Sequence, residues 1–267
     1  MTALPQKLGI IAGGGILPTK LVSFCDAQNI DAFVVGFENH VDPATIKGRK
    51  HTIMRLGSAG TIIPLLQERG YKDLVLIGAV KRPGLTDMIP DMRTIKFFAK
   101  LGMRALGDDG FLKAIRKELE DEGFTIHGIQ DILPNLFIEK GVLGSVEPDD
   151  DQWEDIRIGL TGSRKIGEAD IGQCVVALNG EIIGTEDDKG TNALIRRAAA
   201  KGAVLVKASK PQQDRKLDMP TIGSDTVKLC AELGYAGIAA EADGVLVADR
   251  EETIAAANER GLFVVGV

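Results

Sequence analysis

After the apolar run 203–206 the chain reads Lys207-Ala-Ser-Lys210-Pro-Gln-Gln213-Asp214-Arg215-Lys-Leu-Asp218-Met-Pro220-Thr-Ile-Gly223-Ser-Asp225-Thr226. The stretch has no hydrophobic period and is dense in both signs of charge. Loops longer than about 12–15 residues inside a compact domain are usually functional or disordered. The ordered patterns on both sides weigh against disorder. Lys207, Lys210 and Arg215 are candidates to neutralise a diphosphate, with Gln213 a further substrate contact. Asp214, Asp218 and Asp225 are candidates to hold Mg²⁺, a hard cation satisfied by one or two carboxylates plus water and phosphate oxygens. The plainer reading of the cations is surface solvation, and that of Asp225 is a first-turn carboxylate favoured by the helix dipole.

Four further stretches offer ligand chemistry. Gly9-Ile-Ile-Ala-Gly13-Gly14-Gly15-Ile-Leu-Pro18 runs from a strand through a glycine turn into a helix. Backbone N–H groups of Gly13, Gly14 and Gly15 could meet a phosphate there. Gly13-x-Gly15-x-x-Pro18 departs from the dinucleotide fingerprint by having proline for the third glycine, and Glu38 lies at a suitable distance for a ribose. A ligand-free tight turn is the alternative. Gly78-Ala-Val-Lys81-Arg82-Pro83-Gly84 carries two cations past the end of a strand, Arg82 as a bidentate fork and Lys81 as a point charge, or else a solvated loop. Gly184-Thr-Glu186-Asp187-Asp188-Lys189-Gly190-Thr191-Asn192 precedes a helix bearing Arg196 and Arg197. Thr191 and Asn192 there suit an anion or a sugar, and helix capping by Thr191 serves equally well. Gly107-Asp108-Asp109-Gly110 reads as a metal or ribose site or, more simply, as an aspartate cap. His40, His51 and His127 lack metal-ligand spacing, so no zinc is expected.

These residues need a scaffold, and the sequence indicates one. Short apolar runs alternate with helical patterns: strands at 8–12, 32–36, 51–56 and 73–80, helices at 17–27, 59–68, 91–106 and 110–121. This is the rhythm of a doubly wound, Rossmann-like α/β sheet. It falters near Pro134 and restarts after the acidic stretch Glu147-Pro148-Asp149-Asp150-Asp151, which could link domains or cap the next helix. The expectation is a domain over 1–134, a linker over 135–150 and a distinct α/β catalytic domain over 151–267, with a hairpin at Asn179-Gly180. At 267 residues, 44% hydrophobic and 26% charged, the chain suits about two domains and is not disordered. Its net charge of −6 argues against a nucleic-acid partner. Three separated cysteines read as reduced structural thiols. With neither a signal peptide pattern nor a membrane-spanning run, a cytoplasmic protein is expected.

GIIAGGGILP, GAVKRP, GTNALIRR and VKASKPQQDRKLDMPTIGSDT, in that order across essentially the whole chain, resemble the UDP-2,3-diacylglucosamine pyrophosphatases of lipid A synthesis. The likeness is to the family unrelated in sequence to calcineurin-like phosphoesterases. It implies a Rossmann-like amino-terminal domain and a distinct carboxy-terminal one, with the nucleotide sugar in a cleft between them. It implies hydrolysis to 2,3-diacylglucosamine 1-phosphate (lipid X) and UMP with Mg²⁺ or another divalent cation, water being directed at the sugar-side phosphorus. Asp225 matches the family's essential acid in I-G-x-D-T, and the glycine loop its nucleotide-side phosphate loop. Asn192 stands where many relatives carry aspartate. The expected catalytic set is therefore Asp225, Asp214, Lys207 and Lys210, with Asp225 and Asp218 on the metal and Asp225 either binding it or orienting water. A homodimer and transient contact with the membrane surface, where the substrate partitions, are also expected. The rivals are an NAD(P)-dependent oxidoreductase, against which Pro18 and the long cationic loop count, and a non-catalytic UDP-sugar-binding module.

Overall fold

Residues 4–80, 90–101 and 108–267 are described by the computed structural model of the protein. One unit comprises Met1–Pro134 together with Asp214–Asp218, the other Asn135–Gln213 with Met219–Val267.

The first unit runs β1 (Lys7–Ala12), α1 (Ile16–Ala27), β2 (Asp31–Phe37), α2 (Pro43–Ile46), β3 (His51–Met54), α3 (Ala59–Glu68), β4 (Asp73–Ile77), α4 (Met92–Leu101), α5 (Asp108–Asp121), β5 (Thr125–His127) and α6 (Ile129–Ile132). Its five strands are all parallel, in the order β3-β2-β1-β4-β5. This is the doubly wound order, in which the chain reverses direction across the sheet between β1 and β4. Leu8 and Ile10 of β1 are fully buried, as are Leu74 and Val75 of β4. Central parallel strands covered by helices on both faces read in just this way, as unbroken apolar runs. The helix expected over 91–106 is described as far as Leu101, and Gly107 lies outside the described residues.

The second unit runs β6 (Gly141–Val142), α7 (Asp150–Glu168), β7 (Cys174–Leu178), β8 (Glu181–Thr185), α8 (Thr191–Arg197), β9 (Val204–Lys207), β10 (Thr221–Ile222), α9 (Ser224–Glu232), β11 (Gly237–Ala240), β12 (Leu246–Val247), α10 (Arg250–Arg260) and β13 (Phe263–Gly266). Its main sheet has the order β6-β13-β11-β9-β7-β8, with β9, β11 and β13 parallel and the others antiparallel to their neighbours. The expected hairpin joins β7 to β8: Asn179 and Gly180 both have positive φ, at 53° and 79°. Asp155, buried on α7, accepts their two backbone N–H groups at 3.2 and 2.7 Å. The turn is thus fixed from the helix as well as by its own residues.

Residues 135–150 are not a free linker. Ile138 is fully buried and donates its N–H to Val245 O, while β6 pairs with β13. The strand involved is two residues long, too short to show alternation. Asp149 instead takes the capping role, accepting Gln152 N–H at 2.8 Å while Gln152 Oε1 accepts Asp149 N–H. β12 pairs with β10, in parallel, in a separate small sheet. Cys25, Cys174 and Cys230 are buried and free; burial pushes the Cys25 thiol up to about 11 and that of Cys230 to about 12. Among the described residues, no helix is long and apolar enough to cross a membrane.

Two carboxylates hold the charged stretch after β9. Glu241, just past β11, accepts Ser209 N–H and Oγ–H at 2.9 and 2.6 Å and Arg164 Nε–H at 2.9 Å. Burial alone would raise its pKa; the bonds from Ser209 and Arg164 outweigh that and hold it below the ordinary 4.5. Asp214, with a side chain 6% exposed, accepts two bonds from Arg116 Nη1 of α5, at 3.1 and 3.0 Å, and one from Lys216 N–H at 3.0 Å. The expected catalytic carboxylate is therefore half of an ion pair within the first unit, where Leu217 also packs onto the core.

Two outcomes follow. A depressed carboxylate contributes stability above its unfolded pKa that is lost as pH falls through the folded value. Glu241→Gln should therefore lower Tm at pH 7, and the gap to the parent should close as pH drops below about 4.5; a gap constant with pH would refute the assignment. Asp214→Asn should cost about 1–2 kcal/mol in chemical denaturation, the upper range for a buried pair being discounted because Arg116 is partly exposed. Unchanged stability would leave Asp214 without this structural role.

Candidate functional site

Lys207 is the last residue of β9, in register with Ala240 of β11 and Cys174 of β7. The strand is buried throughout, so the lysine stem is too: the residue is 7% exposed. Its Nζ donates to Thr221 O at 3.0 Å, and no carboxylate among the described residues lies within ion-pair distance. A buried ammonium with one carbonyl partner keeps two protons for a guest. The guest space is a hollow of about 370 Å³ in the second unit, lined by Lys189, Thr191, Asn192, Lys207, Thr221 and Thr226. Of the expected site residues, the structure gathers Lys207, Thr191 and Asn192 here.

Thr191 opens α8, but it is not the cap. Gly190, at φ 79°, holds that place without a side chain. The Thr191 hydroxyl instead donates to Glu186 Oε1 at 2.5 Å, and Glu186 Oε2 accepts Gln173 N–H at 2.9 Å. Asp187 accepts Lys189 N–H and pairs with Arg197 at 3.0 Å, while Arg197 also donates to Thr185 O. The Lys189 backbone bond, then Arg197, pull the Asp187 carboxyl below its usual range against a small burial effect. Arg197 is thus spent on shaping the loop.

Asp225 lies in the first turn of α9 with its side chain 101% exposed, 3.9 Å from Lys228 Nζ. Its neighbour Thr226 lines the hollow. Lys210 Nζ bonds Asp170 Oδ1 at 2.8 Å, and Gln213 closes a local turn by giving its N–H to Lys210 O. Asp214, Arg215 and Asp218 belong to the first unit. There Arg215 O accepts from Gln130 and Asp218 N–H goes to Asp214 O. The charged stretch is therefore divided between the two units. Lys81 and Arg82 lie outside the described residues.

The glycine loop differs most from expectation. Gly13 N–H donates to Ile77 O, and Gly14 exchanges bonds in both directions with Ala79, at 2.8–2.9 Å. Gly15 N–H goes to Asp42 Oδ2 at 2.7 Å. All three donors meant for a phosphate are occupied. A Cβ on Gly13 would sit 2.5 Å from Ala79 O, and one on Gly14 2.7 Å from His40 O. These glycines admit neighbouring backbone. Glu38 pairs with Arg55 at 3.4 Å.

No group of three or more His, Cys, Asp or Glu able to cage a metal occurs among the described residues. The donor chemistry present suits a cation brought in with phosphate: Asp225 offers one hard, accessible carboxylate, and phosphate and water supply the remaining oxygens in such sites.

Glu186 carries no sequence signal beyond its charge. It is one of several acids in a polar stretch, and only its burial singles it out.

The LpxI amino-terminal domain matches residues 7–136 and the LpxI carboxy-terminal domain residues 139–265. The chain is also 37% identical, over 98% of each sequence, to a Caulobacter vibrioides protein named UDP-2,3-diacylglucosamine pyrophosphatase LpxI. Matched across both of its units, the chain belongs to the LpxI family.

Proposed function

We propose that this protein hydrolyses the pyrophosphate of UDP-2,3-diacylglucosamine, giving UMP and 2,3-diacylglucosamine 1-phosphate, with Mg²⁺ or a similar divalent cation. The relative's name supplies the substrate. The observation that carries the reading for this chain is Lys207, a buried ammonium with no carboxylate within ion-pair distance among the described residues, opening on a polar hollow. Burying such a charge costs several kcal/mol, and an anion entering the hollow offsets that cost.

The chemistry sets two demands. A diphosphate repels an incoming hydroxyl oxygen, so its charge must be neutralised before water can approach phosphorus. The leaving phosphate must also be stabilised as the bridging P–O bond breaks. Lys207 meets part of both demands, since its two uncommitted protons can bond phosphate oxygens whose charge grows in the transition state. The cation, held by Asp225 and by the phosphates themselves, would add Lewis-acid stabilisation of the same oxygens. Water adds its oxygen to one phosphorus, the bridging oxygen departs with the other phosphate, and a proton is released.

Lys207→Met should reduce UMP release by at least about 10²-fold, the scale of losing one transition-state donor. It should leave Tm unchanged or raise it, because an uncompensated buried charge is replaced by an apolar stem of similar length. Loss of activity accompanied by a lower Tm would point to a merely structural lysine.

Asp225→Ala should abolish UMP release without moving Tm, since the side chain is fully exposed. A chelator should reproduce the loss in the parent protein, with Mg²⁺ restoring activity. Turnover near that of the parent in the variant, or undiminished with chelator, would remove Asp225 and the metal respectively from the reaction. Saturable UDP-sugar binding without any UMP release would favour a binding module.

A further inference from the structure

We propose that Glu186 is a positioning residue that makes Thr191 a hydrogen-bond acceptor towards the hollow, so that this wall receives an O–H donor, the attacking water or a substrate hydroxyl, and not a phosphate oxygen. The inference rests on the hydrolytic reading above and adds a division of labour within the site.

Glu186 follows β8 and is 7% exposed. Its backbone N–H continues the hairpin by donating to Cys174 O. Gly172 leaves room for it: a Cβ there would lie 2.8 Å from Glu186 Cβ and 3.1 Å from Glu186 O. One carboxylate oxygen is anchored by a backbone donor, Gln173 N–H, and the other takes the Thr191 hydroxyl at 2.5 Å. A carboxylate only accepts, and a threonine has a single O–H to give. With that proton committed to Glu186, Thr191 has only lone pairs left for anything in the hollow. Phosphate oxygens are acceptors too and gain nothing there. Lys207, on the same hollow, has only protons to give. The two side chains therefore sort a guest by polarity, phosphate oxygens to Lys207 and hydroxyl hydrogens to Thr191. A water giving one proton to Thr191 keeps its lone pairs available for phosphorus.

Glu186→Gln tests this by reversing the polarity at nearly constant shape. The Gln173 N–H needs an acceptor, so the new amide oxygen stays with it and the amide NH₂ turns to Thr191. The Thr191 hydroxyl must then accept from the amide and point its proton into the hollow. Sulfate, which has no hydrogen to donate, is the probe. Its affinity should rise about five-fold in Glu186→Gln, the worth of roughly one neutral hydrogen bond, while UMP release falls at least about ten-fold. Thr191→Val should lose activity without weakening sulfate binding, and Thr191→Ser should retain activity. In a Thr191→Val background, Glu186→Gln should leave UMP release unchanged and raise sulfate affinity only by what the loss of the carboxylate's charge gives, clearly less than with Thr191 present. A fall in kcat would identify the donor as water and a rise in KM as a substrate hydroxyl, both in accord with the proposal. Weaker sulfate binding in Thr191→Val, or additive effects in the double variant, would overturn it. Should Glu186→Gln fail to fold, the two Thr191 variants decide alone. Sulfate binding needs no turnover, so its outcome stays separable from UMP release by the parent protein, which tests the hydrolytic reading itself.

Discussion

A lysine ammonium buried at the carboxyl end of a parallel strand, with one carbonyl for company, is the constraint from which the candidate site follows. Interior charges are ordinarily paired, because desolvation outweighs what a single neutral hydrogen bond returns. In the second unit the nearby acids are committed elsewhere: Glu241 to Ser209 and Arg164, Glu186 to Gln173 and Thr191. The uncompensated charge is kept by the backbone register that ends β9 at Lys207 between β7 and β11. Such an arrangement favours an anionic guest over water.

The surroundings keep the lysine and its opposite wall in place. Ser163 of α7, fully buried, donates to Gln173 O and accepts Ala208 N–H, joining the segments that lead into β7 and out of β9. Gln173 then holds Glu186 through its own N–H. A chain of short bonds thus runs from the helix to the polar wall. Each step uses a buried group whose loss would leave a backbone donor or acceptor unsatisfied. The wall is rigid for that reason, which a hydroxyl that must present one polarity requires.

What could be read in the sequence was whatever is local. The parallel sheet of the first unit, the Asn179-Gly180 hairpin and the Asp149 cap all follow from neighbouring residues. What could not be read depends on partners distant in sequence. Asp214 looks the same whether it meets a metal or Arg116, 98 positions away. Glu186 looks like its neighbours Asp187 and Asp188 until burial separates it. Segments 221–222 and 141–142 are strands only because β12 and β13 are there to pair with them. No window of two residues shows a period.

The glycine loop carries the same lesson at the level of chemistry. Three glycines between a strand and a helix state that something approaches the backbone closely, since a Cβ at Gly13 or Gly14 would collide. They do not state what approaches. In this chain it is the backbone of His40, at Gly14, and that at the end of β4, whose Ile77 and Ala79 carbonyls take the N–H groups of Gly13 and Gly14, while Asp42 supplies an anion at the start of α1. A carboxylate there already answers the positive end of the helix dipole. A phosphate would have to displace Asp42 and compete for donors already engaged by main-chain carbonyls, whereas at Lys207 it would meet two unclaimed protons. Between the glycine loop and the lysine after β9, the lysine is thus the one whose hydrogen-bonding capacity remains to be filled.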